Sequence, residues 1–153
     1  MAQRRINARD IIIEVEASTP DTWLPIEKLT TATVNPAESE ETVETTDFES
    51  DGAAEVEIMQ RGASMELEGQ ALQDSDTGAL PVGRARVEEM AGEDKVAFDS
   101  LGRIRFRYPT SPNWRIWTCT FSLGEAGGGN NDKVSWGATI VKSGKTTTAA
   151  VTP

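Results

Sequence analysis

Residues 30–60 run for 31 positions without a lysine or arginine and place nine acids there: Glu38, Glu40, Glu41, Glu44, Asp47, Glu49, Asp51, Glu55 and Glu57. The 153-residue chain holds 25 acids and 15 bases, so 16 acids face 15 bases elsewhere and almost all of the net charge of −10 sits in this one-fifth. Such a segment is no core element, because Val43 and Phe48 are the only sizeable apolar residues in its middle. Its β-prone flanks, residues 23–34 and 54–61, predict a long hairpin tipped by a large acidic loop, residues 35–53. A loop of that length in a compact domain is either functional or disordered.

The remaining composition sets the bounds. The length suits one domain, 1–153, with a real core. An apolar fraction of 37% leaves little surplus, so partner subunits are expected to complete some surface. The polar, basic start shows no secretory signal, and apolar runs of three or four residues exclude a membrane helix. One cysteine, Cys119, precludes an internal disulfide, suits a reducing compartment and reads as an inert buried thiol. An acidic chain lacks the basic footprint that binds phosphates.

Along the chain, residues 1–10 carry Arg4, Arg5 and Arg9 and read as a basic arm. Ile11, Ile12, Ile13 and Val15 predict a first strand, and residues 29–34 another. Val56 and Ile58 alternate with Glu55 and Glu57, and Met65, Leu67 and Gly69 with Glu66 and Glu68, each predicting a strand with one buried face. Leu80, Gly83, Val87, Met90 and Ala91 form a helical stripe over residues 80–91, with Pro81 in the first turn, Gly92 at the stop and Gly83 weakening the helix. Val96, Ala97 and Phe98 are expected to re-enter the core. Ile104, Phe106 and Tyr108 alternate with Arg103, Arg105 and Arg107. Residues 113–123 are apolar on both faces, predicting cover on both sides. Residues 124–132 read as a glycine-rich hairpin connection, residues 134–140 as a last strand, and residues 144–153 as a flexible tail without packing capacity. Seven or eight strands and one helix result.

Chemistry is hard to find. The chain has no histidine, which removes the commonest general base and metal ligand. Ser143, Gly144, Lys145 and Thr146 mimic the end of a phosphate-binding loop, but Thr139 stands where its first glycine belongs. Asp74, Asp76 and Gly78 mimic a calcium loop, but Ala85 occupies the closing acid's place, leaving a turn before the helix. The loop carboxylates lie in a polar segment that offers no buried acid–base pair. No catalytic, cofactor or metal residue is assigned, and the chain is read as a non-enzyme. Arg103, Arg105 and Arg107 project at roughly 7 Å intervals, as do Glu66 and Glu68. Their pairing is open between contacts within one subunit and contacts across subunits.

In order and pattern the chain resembles the tail-tube, or major tail, proteins of long-tailed bacteriophages. The resemblance covers nearly the whole chain: an arm and strand, Trp23-Leu24-Pro25-Ile26-Glu27-Lys28-Leu29 leading into the acidic hairpin, a strand pair over 54–72, one helix, and a last sheet with Trp136-Gly137-Ala138-Thr139-Ile140. Unlike the longer members, the chain is not expected to carry an added immunoglobulin-like C-terminal domain. The resemblance implies an antiparallel β-sandwich or barrel with one flanking helix, in subunits that form hexameric rings and stack into a hollow tube for DNA ejection. The loop acids Glu38, Glu40, Glu41, Glu44, Asp47, Glu49 and Asp51, with Phe48, would order on the next ring, with Arg4, Arg5 and Arg9 as charged partners. Glu55, Glu57, Glu66, Glu68, Arg103, Arg105 and Arg107 are candidates for the lumen or subunit interface. It further implies self-association, tape-measure, tail-tip and terminator partners, DNA passing without specific binding, no membrane, and a virion tail assembled in the host cytoplasm. Related tubes of contractile injection systems share the architecture. The competing expectation is a monomeric β-sandwich that binds glycans or cell surfaces on Trp114, Trp117 and Trp136.

Overall fold

The computed structural model describes residues 2–152; Met1 and Pro153, the outermost residues of the expected arm and tail, lie outside them. The strands are β1 (Ile12–Glu16), β2 (Trp23–Pro25), β3 (Leu29–Asn35), β4 (Glu41–Glu44), β5 (Val56–Gln60), β6 (Ser64–Gln70), β7 (Leu101–Arg107), β8 (Asn113–Leu123), β9 (Ser135–Lys142) and β10 (Thr147–Ala150), with helix α1 (Val82–Met90) between β6 and β7. Eight strands form one antiparallel sheet, seven of them in the order β2-β1-β7-β8-β9-β6-β3 and the eighth, β10, paired with β8. β9 pairs with the C-terminal half of β8 and β10 with its N-terminal half, so both lie along one edge of the longest strand.

Period-2 alternation builds the core. Ile13 and Val15, Met65 and Leu67, Ile104 and Phe106, then Trp117, Cys119 and Phe121, and Trp136, Ala138 and Ile140 all turn to one side and form a single cluster. Each large side chain buried this way contributes about 1.5–3 kcal/mol. Phe106 meets Trp117 edge to face at 5.2 Å and 86°, the arrangement that ring quadrupoles favour. The cluster draws on strands from both ends of the sheet order, so the sheet curls around it. The sheet is not closed: β2 pairs only with β1 and β3 only with β6.

Helix α1 lies against β1, β2 and β8 with Gly83, Val87 and Met90 buried, the stripe the periodicity predicts. Gly83 is a packing requirement more than a weakness: a Cβ there would sit 2.1 Å from the carbonyl oxygen of Pro25. The helix therefore rests directly on the backbone after β2.

Four expectations are corrected. The flanks of the acidic segment do not pair with each other; β3 pairs with β6, setting Ala32 opposite Leu67 and Val34 opposite Met65. That register places two apolar sets on the core, which pairing with residues 54–61 would not. β4 and β5 form a separate two-stranded ribbon, on which Val56 (65% exposed) and Ile58 (42%) have no buried face. Val96 and Phe98 do not return to the core; a 3-10 turn over Ala97–Ser100, with Ala97 at φ +55°, leaves Phe98 84% exposed. Beyond Gly144 the chain is not all loose, because Thr147–Ala150 forms β10.

Candidate assembly surface

The acidic segment is a shaped ribbon. At its base the Ser39 N–H donates to the Gly62 carbonyl at 3.4 Å, and Arg61 meets Glu40 at 3.1 Å. Thr42 lies opposite Ile58, Val43 opposite Glu57 and Glu44 opposite Val56. At the tip, a 3-10 turn over Phe48–Ser50 is capped by Asp47. Its carboxylate accepts from the Glu49 N–H at 3.0 Å and the Ser50 hydroxyl at 3.2 Å, and Ser50 Oγ accepts from the Asp47 N–H. Thr46 Oγ1 accepts from the Glu55 N–H at 2.9 Å and donates to the Glu55 carbonyl at 3.3 Å. Asp51 then takes a left-handed conformation at φ +52°, which aspartate tolerates better than most residues, and Gly52 follows at φ +83°. Phe48 stands 101% exposed on this turn.

Glu38, Glu41, Glu44, Asp47, Glu49 and Asp51 make no ion pair among the described residues; Glu40 makes one, with Arg61. No ribbon residue belongs to the core cluster. An isolated two-stranded hairpin is marginal in water, so a ribbon exposing Val43, Val56, Ile58 and Met59 calls for a covering surface.

The structure separates the other candidates. Glu66 and Glu68 lie on the wet face of β6 beside a groove of about 720 Å³ that also has Thr30, Glu125, Asp132, Lys133 and Thr139 along it. Glu55 and Glu57 are on the ribbon instead. Arg103, Arg105 and Arg107 do not meet Glu66 or Glu68. Arg105 bonds Glu14, and Arg103 reaches Glu16 at 3.2 Å and Asp21 at 3.4 Å, because β1 is the neighbour of β7. Arg107 donates to the carbonyls of Pro109 (2.8 Å) and Tyr108 (3.4 Å). Arg4 and Arg5 lie on an exposed arm, and Arg9 in a 3-10 turn over Ala8–Asp10 that touches β3.

Sequence reasoning missed the aromatic half of this arginine face. The Arg105 guanidinium lies 4.5 Å from the Trp23 ring centre and 4.0 Å from that of Trp114, and Arg107 lies 4.9 Å from Trp114. Trp114 is buried there, outside the core cluster, so the second face of β8 is covered in part by the chain's own arginines. This corrects the stacking platform: Trp114, Trp117 and Trp136 are all buried, leaving no exposed indole among the three for a glycan.

It also missed the opening between the sheet's ends. β1 and the chain after β2 face β3 across a cleft of about 780 Å³, with Ile11, Ile26, Leu29 and Ala32 on its walls and Arg9 and Lys28 along it.

The motif mimics behave as turns. The Asp74 carboxylate accepts the N–H groups of Asp76 at 2.8 Å and Thr77 at 3.0 Å, and the Thr77 bond, then that of Asp76, holds it below the usual carboxylate range. Ser143 and Gly144 link β9 to β10, with no helix after them among the described residues. Burial pushes the Cys119 thiol up to about 12. Among the described residues no cluster of three or more histidine, cysteine or acidic groups is placed to hold a metal ion, and no helix is long and apolar enough to cross a membrane.

No family model matches the chain, and no curated protein matches it. Solved structures do. One match is a chain from the tail of an empty gene transfer agent particle, determined by helical refinement with C6 symmetry: TM-score 0.69, 22% identity, 97% of this chain and 100% of that one. A chain from the virion of a native gene transfer agent particle gives TM-score 0.61 and 23% identity, with the same coverage. A chain from the extended sheath–tube complex of an extracellular contractile injection system gives TM-score 0.56 and 14% identity, over 96% and 93%. The chain has the fold shared by these tail and injection-system proteins, as the tail-tube resemblance implies.

Proposed function

We propose that this chain is the structural subunit of a virion tail tube. Copies form hexameric rings, the rings stack, and the hollow tube conducts DNA during ejection. One observation carries the reading: an open sheet whose strand at each end has an unpaired outer edge, and an acidic ribbon that no core residue among those described covers. Unpaired strand edges are an aggregation hazard that closure between subunits removes. A ribbon that contacts a different patch on the next copy gives an open, growing assembly. The fold match to a tail of C6 symmetry supports this reading.

In the assembly, Glu38, Glu40, Glu41, Glu44, Asp47, Phe48, Glu49 and Asp51 form the inter-ring contact, with the Arg4, Arg5 and Arg9 arm opposite. Glu66 and Glu68 line the channel, where carboxylates give phosphates no cation to neutralise. Arg103, Arg105 and Arg107 are held by the chain's own tryptophans and acids, which keeps them from DNA. Tape-measure, tail-tip and terminator proteins are the further partners, and assembly takes place in the host cytoplasm. The tube of a phage-like injection system is the second reading, favoured by the match to the contractile system.

Sedimentation velocity across concentration and salt tests the proposal. Growing assemblies far larger than 16.6 kDa are expected; a monomer under every condition overturns it.

A further inference from the structure

We propose that the cleft between β1 and β3 of one copy is the socket for the ribbon tip of another, with Phe48 as the anchor. The inference rests on the tube reading and supplies the receiving surface that reading leaves open.

Phe48 is displayed on a turn whose backbone is already fixed by the Asp47 cap, the Thr46–Glu55 pair and the left-handed Asp51. Little ordering is left to lose on binding, which is how preorganised contacts gain affinity. A buried aromatic removes about 150–250 Å² from water and is typical of the few residues that dominate an interface. Being fully exposed, Phe48 does not occupy the cleft of its own chain.

Charge selects the socket. The tip carries Asp47, Glu49 and Asp51. The cleft sets apolar walls of Ile11, Ile26, Leu29 and Ala32 beside two cations, Arg9 and Lys28, and one acid, Glu27, so its lining is net positive; none of the three is in an ion pair among the described residues. The groove over β6 has four acids, Glu66, Glu68, Glu125 and Asp132, against one cation, Lys133, and its net negative lining repels the tip. A smaller cavity of about 330 Å³ beside Leu72, Leu80 and Pro81 has Asp74 on its wall and no cation. Tip and cleft are different patches, so each copy can give one contact and receive another, and the contact propagates.

The test compares tube formation by wild type, Phe48→Ala, Lys28→Glu and the swap Lys28→Glu with Glu49→Lys, using pelleting and thermal melting. Both single variants are expected to melt as wild type, while the concentration needed for tubes rises about tenfold or more, and the swap recovers most of it. Wild-type assembly by Phe48→Ala overturns the anchor, and failure of the swap to rescue overturns the rim pairing. If reversing Glu38, Glu40, Glu41 and Glu44 still blocks tubes in either case, the ribbon's role survives and the socket alone is wrong. A wild-type chain that forms no tubes overturns both readings.

Discussion

Arg105 shows how much one side chain organises on the outer face of the sheet. Its guanidinium is stacked between Trp23 and Trp114 and bonds Glu14 through Nε at 2.7 Å. A lysine keeps the charge but not the planar stack. Arg105→Lys is expected to cost about 0.5–2 kcal/mol in a denaturant titration. Cys119 makes a different test. Its thiol is fully buried, and desolvation disfavours the thiolate. A thiol reagent at about pH 8 should leave the folded chain unmodified and label it after denaturation. The folded pKa, about 12, lies above the reference value of 9.0, so the thiol's contribution to stability is complete below pH 9 and is lost as pH rises towards 12.

Among the elements, α1 and the ribbon stand at opposite extremes. α1 is locked by contact: Gly83→Ala pushes a methyl into the Pro25 carbonyl and is expected to destabilise the chain by about 1–3 kcal/mol, read from the melting midpoint. The ribbon touches no core, so reversing Glu38, Glu40, Glu41 and Glu44 should leave the circular dichroism spectrum and melting unchanged while abolishing tubes. The same contrast explains what could be read from residues alone. The helix stripe and the alternation of Met65 with Leu67 and Ile104 with Phe106 were legible, since each pattern has one packed outcome. Val56 and Ile58 alternate just as well yet stay exposed, because alternation tells which residues share a face and not whether that face meets a core. Strand pairing decides that, and it depends on Ala32 and Val34 finding Leu67 and Met65. The arginine–tryptophan face was illegible for a related reason: Trp23 and Trp114 are 91 positions apart and meet only through the registers of β1, β2, β7 and β8. The acids of the candidate contact surface were legible as a charge run, whereas the cleft proposed to receive them depends on how far the sheet curls.

At the scale of the whole molecule, the fold leaves open the outer edges of β2, β3 and β10, and a charged ribbon with apolar residues that no core residue among those described covers. In the proposed tube, copies of the chain complete these at once, with edges meeting within a ring and the ribbon reaching the next. In that proposed assembly, the net charge of −10 would keep free copies apart until specific contacts outweigh the repulsion. The most direct test is negative-stain electron microscopy of the concentrated wild-type chain. The account predicts hollow tubes of stacked rings with six subunits in each; dispersed monomers at every concentration would contradict it.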